Sequence, residues 1–214
     1  MKRIARACYL IFPAIVFVFL AGGCSSTKKQ QPIRQRLIFN CDGTDLLGNY
    51  MFGRRPLTLD DLNSYVDAYA NKQVTTFMIC SGSDYPHYRS KYERIFCDDK
   101  DGKLDCGCDT ANYRYYKNFY LNHLILEKEG TELIEASLKR AKEDKMEAFI
   151  TYRMNDLHFT DTTLHCPILY SDFWINHPEY WLNEDIGWHS AGALDFAIQE
   201  VREQKLNMIT EQLE

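Results

Sequence analysis

The sequence predicts an α/β fold on a parallel sheet, a partial (β/α)8 barrel of the TIM type. Three observations predict it. Three short runs rich in β-branched and aromatic residues, 36–42, 74–80 and 146–152, alternate with amphipathic helical stretches. Those runs are apolar without alternation, the pattern of strands covered on both faces in a parallel sheet. The third run opens at its C-terminal end into Arg153, Asn155, Asp156 and His158. That end of a strand is where α/β enzymes present their sites.

The N-terminus reads as targeting rather than fold. Lys2, Arg3 and Arg6 precede an apolar run over 7–20, too short and too early for an ordinary spanning helix. Ala21-Gly22-Gly23-Cys24 then places small residues directly before a cysteine, as in a bacterial lipoprotein signal, with Ala21 where leucine is usual. The expected organisation is a signal peptide over 1–23, a polar linker over 24–35 and a folded domain over 36–214. Cys24 would carry acyl chains that anchor an exported protein to a membrane, in the periplasm or at the cell surface. A generic secretory signal cut near Gly23 is the other reading.

Strand 36–42 takes its apolar core from Leu37, Ile38 and Phe39 and is stopped by Gly43. Thr58 caps a helix over 59–71, with Asp60 and Asp61 in its first turn and Leu59, Leu62, Val66 and Tyr69 on one face. Strand 74–80 ends at Ser81-Gly82-Ser83. Residues 84–128 break the rhythm and read as a long loop with some helix near 113–126. Thr131 opens a helix carrying Ile134, Leu138 and Ala141 on one face, and strand 146–152 follows. An irregular segment runs to Trp188, and Asp195 or Gln199 begins a last helix striped by Ile198, Val201, Met208 and Ile209. Three βα units are visible where a full barrel takes roughly 250 residues, so the expectation is the first part of one.

Composition removes several function classes. The chain carries 25 Lys+Arg against 30 Asp+Glu, a net charge of −5, and loss of the first 23 residues makes it more negative. Nucleic acid, which needs a basic face, is not an expected partner. No glycine-rich dinucleotide or phosphate loop follows a strand, so no cofactor is expected. No metal is expected either. The cysteines lack the paired C-x-x-C spacing of structural zinc. The Asp99, Asp101, Gly102, Asp105 run imitates a calcium loop but has Cys97 and Cys108 where acids are needed. Export permits disulfides, but spacing alone does not fix any pairing. Ser-His-Asp chemistry has no nucleophile-elbow signal.

Five pieces, in order, carry a resemblance. They are Phe39-Asn40-Cys41-Asp42-Gly43, Tyr88-Arg89-Ser90-Lys91, Arg153-Met154-Asn155-Asp156 with His158, His177-Pro178-Glu179, and Ala193-Leu194-Asp195-Phe196 before Glu200-Val201-Arg202. Together the set resembles the N-terminal part of the bacterial glycosyl-hydrolase-like family-ten barrel proteins, across about residues 36–214. The resemblance implies a secreted or lipid-anchored TIM-barrel protein of glycoside-hydrolase type. It implies a fourth strand, after the helix matching 201–213, that supplies a further acidic residue. This sequence ends before that strand, so a truncated member is expected. It also departs from the pattern at Cys41, where a second Asn is usual, and near Gln199, where a Pro is usual.

Glycoside cleavage uses two carboxyl groups flanking the bond, roughly 5 to 9.5 Å apart according to mechanism. Asp42, Asp45 and Asp156 lie near strand ends on the expected active face, and Asp156 and Asp42 are the candidate catalytic pair. Asp156 equally suits the cap of a turn, and Asp42-Gly43 is also a plain turn signal. Arg153, Asn155, His158, Trp188 and Asp195 are the candidate substrate-binding residues. Arg153 offers a planar fork to a sugar oxygen or a carboxylate, or bridges Asp42 or Asp156 to order the barrel mouth. Asn155 and His158 suit hydroxyl recognition. Trp188 suits stacking on a sugar face or filling the core. Asp195 orients a ligand or caps the last helix. The tyrosines at 85, 88, 92, 113, 115, 116 and 120 read as packing of the long loop or as a sugar platform. The expected partner is therefore carbohydrate. The expected function is glycoside hydrolysis if the remaining strands are supplied, or, alternatively, a non-catalytic carbohydrate-binding or structural surface lipoprotein.

Overall fold

The computed structural model describes residues 35–48, 55–98, 110–158, 160, 167–182 and 192–214. Cys24, Trp188 and the acidic 99–109 segment, on which expectations were placed above, lie outside the described residues. The fold is mixed α/β on a three-stranded, all-parallel, open sheet. Its strands are β1 (Ile38–Cys41), β2 (Thr76–Cys80) and β3 (Glu147–Thr151), in the order β1-β2-β3. The helices are α1 (Thr44–Leu47), α2 (Leu59–Ala70), α3 (Thr110–Lys128), α4 (Leu133–Glu143), α5 (Asp172–Asn176) and α6 (Gln199–Thr210).

All three expected strands form, each trimmed at its ends. Helix α2 starts as its sequence demands. Thr58 accepts from the Asp61 backbone N–H, and the Asp61 side chain answers the Thr58 N–H, a reciprocal capping box. Thr58→Ala should lower stability by about 1 kcal/mol, read as a shift of the denaturant midpoint.

Two expectations about the connections need correction. The segment between β2 and α4 holds a full helix of 19 residues, α3, longer at both ends than the predicted 113–126. The stretch before Trp188 contains α5, capped by Ser171 and by the buried Glu93 carboxylate, which accepts from the N–H groups of Asp172 and Phe173 at 2.9 Å each. Its start was signalled by Ser171-Asp172, a good N-cap pair, but its five residues are too few to show a helical period.

The core lies on one face of the sheet. Phe39, Phe77, Cys41 and Ile79 point to it, and α2 and α4 cover it together. Phe39 stacks on Tyr69 of α2 with ring centroids 3.6 Å apart. Phe77, Ile79, Leu62, Val66 and Leu133 are fully buried, each stabilising by about 1.5–3 kcal/mol. The apolar runs predicted strands covered on both faces; among the described residues, helices cover only this one. On the other face Ile38 is 51% and Phe149 46% exposed. The reason is that both crossover helices packing on the sheet take the same side.

On the open face, side chains of β1 and β3 meet in front of β2. Arg36 Nη2 lies 2.8 Å from Glu147 Oε1, Thr151 Oγ1 is 3.1 Å from Asn40 Oδ1, and Arg153 Nη2 lies 2.8 Å from Asp42 Oδ1. Sheet register puts Ile38 level with Glu147 through Thr76, and Asn40 level with Phe149 through Met78. Asn40 thus meets the β3 residue two beyond its level partner, and Arg36–Glu147 and Asp42–Arg153 continue the same spacing just past the paired residues.

Candidate functional site

The C-terminal ends of all three strands converge on one pocket of about 280 Å³. β1 delivers Asp42, β2 delivers Cys80 and the turn after it, and β3 delivers Arg153, Asp156 and His158. Phe96, Tyr116 and Phe119 supply an aromatic wall. The turn after β2 requires glycine. Gly82 has φ +131°, and a Cβ there would stand 2.4 Å from the Tyr85 carbonyl oxygen. Gly82 also accepts from the Arg153 backbone N–H at 3.1 Å, which ties the β2 turn to the exit of β3.

Arg153 bridges the two candidate carboxylates. Its Nη2 is 2.8 Å from Asp42 Oδ1 and its Nη1 3.5 Å from Asp156 Oδ2. Asp42 and Asp156 thus stand no further apart than one guanidinium and two contacts. Asp156 also accepts, through Oδ1, from the His158 backbone N–H at 3.1 Å and contacts the His158 ring at Nδ1. Burial pushes the Asp156 carboxyl up, but the His158 hydrogen bonds and the Arg153 charge outweigh it and hold the group below the usual carboxylate range. The side chain of Asp156 is 11% exposed and that of Asp42 52%.

Other candidates sit elsewhere or have other duties. Asn155 spends its amide on the backbone of Leu194, donating to the carbonyl at 3.0 Å and accepting from the N–H at 3.2 Å. That pair pins the segment before α6 to the end of β3. Asp195 follows this clasp, outside the pocket lining. It does not cap α6, whose N-cap is Ile198; its carboxylate takes the Ala197 N–H at 2.8 Å in a local turn. Asp45, on α1, is exposed and does not line the pocket. Of the tyrosines, Tyr85 and Tyr88 are buried, Tyr116 and Tyr120 pack against the core, and Tyr92 is exposed. Packing thus accounts for most of those described, with Tyr85 and Tyr116 also facing the pocket.

The buried cysteines of neighbouring strands point to opposite faces of the sheet. Cys41 meets the Tyr65 hydroxyl at 3.5 Å on the core side, while Cys80 lies on the pocket side and is 3.4 Å from the Gly82 carbonyl. Strand-end proximity in sequence therefore gives no disulfide between them. Burial pushes both thiols up, which makes Cys80 a poor nucleophile.

Sequence reasoning missed two groups around the pocket, His87 and the Lys205–Asp84 pair. His87 is 4% exposed, lines it and contacts the Cys80 carbonyl through Nδ1 at 3.3 Å. Lys205 of α6 is 1% exposed, contacts the Asp84 carboxylate and is 3.3 Å from the Ser83 carbonyl. Ser83 lines the pocket, so this buried pair braces its wall. A lysine four positions after Val201 in a helix stripe was the available signal, and its aliphatic stem disguised it as a surface residue. Among the described residues no group of three or more His, Cys, Asp or Glu side chains could hold a metal ion. No described helix is long and apolar enough to cross a membrane. No protein-family model matches the chain, and no curated protein matches it.

Proposed function

We propose that residues 36–214 are the first three βα units of a (β/α)8 barrel of the glycosyl-hydrolase-like family-ten type. On this reading the protein is exported and lipid-anchored at Cys24, and its strand-end pocket takes carbohydrate. The contacts that cross in front of β2 support the barrel. In a (β/α)8 barrel, inward side chains of alternate strands meet in layers over the strand between them. The two-residue stagger between β1 and β3 is one residue per strand step, and repeated over eight strands it gives the shear of about 8 that such a barrel needs. The sequential strand order, with sheet-packing helices on one side only, fits the same closure. It argues against a doubly wound sheet, where strand order reverses and helices cover both faces.

The observation that carries the functional reading is the convergence of Asp42, Arg153 and Asp156 at the C-terminal mouth, beside an aromatic wall. Carboxylates and a guanidinium suit sugar hydroxyls, and aromatic faces suit the apolar side of a pyranose. In hydrolysis Asp156, held ionised, would serve as base or nucleophile, and Asp42 would be the second carboxylate. One observation favours recognition without turnover: both carboxylates share one guanidinium, whereas glycoside cleavage needs one carboxyl kept protonated as the acid. Asp156→Asn separates the readings. If the site handles sugar, the variant weakens glycan binding by about tenfold in calorimetry. If it also turns sugar over, hydrolysis falls by about a hundredfold or more. Unchanged binding and turnover would remove Asp156 from the site.

A further inference from the structure

We infer that Asp42 sets specificity, reserving the pocket for uncharged sugars by occupying the arginine that an acidic sugar would need. The inference rests on the carbohydrate reading and adds the substrate class. A uronic acid is held most readily by a guanidinium, whose planar fork matches a carboxylate. Arg153 is the only guanidinium or ammonium among the described residues that line the pocket. Its two terminal nitrogens already face carboxylates, Asp42 at 2.8 Å and Asp156 at 3.5 Å.

The other nearby cation is spoken for. Lys205 is buried against Asp84 behind the wall. His87 is buried, and burial holds it neutral. His158 faces Asp156 through its ring. The described lining therefore sets two carboxylates against one guanidinium. An acidic sugar meets that surplus negative charge and finds the fork engaged. A neutral sugar loses nothing, because its hydroxyls donate to the same carboxylates.

The two acids differ in role. Asp156 is nearly enclosed and doubly bonded to His158. Asp42 stands half exposed at the rim, and its contact with Arg153 is the shorter one. Excluding a competitor by an opposed charge is a common way to achieve specificity. Asp42→Asn removes the opposing charge and releases one arm of the fork while keeping the side chain's shape.

The test is calorimetry with the full chain and matched trimers, neutral glucan against glucuronan and neutral galactan against galacturonan. The wild type is expected to bind a neutral trimer with its uronic counterpart weaker by about tenfold or more. Asp42→Asn is expected to close or reverse that gap by gaining affinity for the acid. A merely structural role for Asp42 would lower both affinities together. Asp42→Ser, folded by circular dichroism, repeats the measurement if the Asn variant melts early. The inference is overturned if the wild type binds the uronic trimer as tightly as the neutral one, or if both variants leave the gap unchanged. Binding without discrimination removes this inference alone. Absence of binding to all four trimers overturns the carbohydrate reading and this inference with it.

Discussion

Lys205→Met should cost about 3–5 kcal/mol of stability, the usual effect of stripping the partner from a buried charge. Lys205 Nζ sits against Asp84 with both side chains under a tenth exposed, and lies 5.8 Å over the Tyr152 ring. The methionine fills nearly the same volume, so the loss is electrostatic rather than a cavity. It leaves Asp84 buried without its counter-ion. Burial already pushes the Asp84 carboxyl up, and Lys205 is what pulls it back. Two consequences separate this account from simple packing. Asp84→Asn with Lys205→Met should recover most of the loss, because neither charge then remains buried. The gap between the single variant and the wild type should also narrow in mild acid, where Asp84 takes a proton. Urea melts of the two singles and the double give the cycle. A Lys205→Met cost under about 1 kcal/mol, or a double variant no better than the single, would refute the ion pair's role.

What was legible in the sequence follows the length of each signal. Residues 36–42, 74–80 and 146–152 are apolar enough to be strands wherever they fall, and the structure pairs them in parallel. Thr58-Leu59-Asp60-Asp61 carries its own start signal, and α2 begins there. Period also fixed which face of α2 and α4 is buried, because Leu62, Val66, Ile134 and Ala141 repeat at helical spacing. What period cannot report is how many faces of the sheet are covered. Ile38 and Phe149 are as apolar as Phe39 and Ile150, yet stand half exposed because no described element crosses in front of them.

The site was legible where charge must be answered nearby. Arg153 has Asp156 three positions on and Asp42 at the end of β1, and the structure joins all three. Asn155 was legible as polar but not as occupied, since its partners are backbone groups of Leu194, which no side-chain pattern encodes. His87 and Lys205 were hidden for a similar reason. Their roles come from the turn after β2 and from a helix that returns to it more than a hundred residues later.

Acid should begin to destabilise this protein from about pH 6.5 downward, because of two buried imidazoles. His87 and His123 are 4% and 2% exposed. Burial holds the His87 pKa down to about 4, with Arg153 adding to the effect and the Cys80 carbonyl, Asp42 and Asp156 opposing it. Burial holds His123 down to about 3, with the charges of His87 and Arg89 in the same direction. Its Nε2 has no hydrogen-bond partner among the described residues. The unfolded chain titrates both near 6.5. Both native values are lowered, so the neutral forms contribute their full stability above pH 6.5. That contribution is lost as pH falls from 6.5 toward 4 and below. Each histidine costs about 1.4 kcal/mol per pH unit across its window, so the pair together approaches roughly 2.7 kcal/mol per unit. Against a typical total of about 5–15 kcal/mol, two units of acid remove a large share. Asp61, held low by Arg55 and its own cap, and Asp67, held low by Arg140, titrate below this window. Asp84, Glu93 and Glu132, pushed up by burial, instead take protons earlier in the folded state and offset part of the loss. His123→Phe replaces an unpartnered ring nitrogen with an apolar edge, so it should be neutral or stabilising at pH 7 and should halve the slope between pH 6 and 4.5. Urea midpoints measured along that series decide it. A slope untouched by His123→Phe would place that imidazole in contact with water and end the argument.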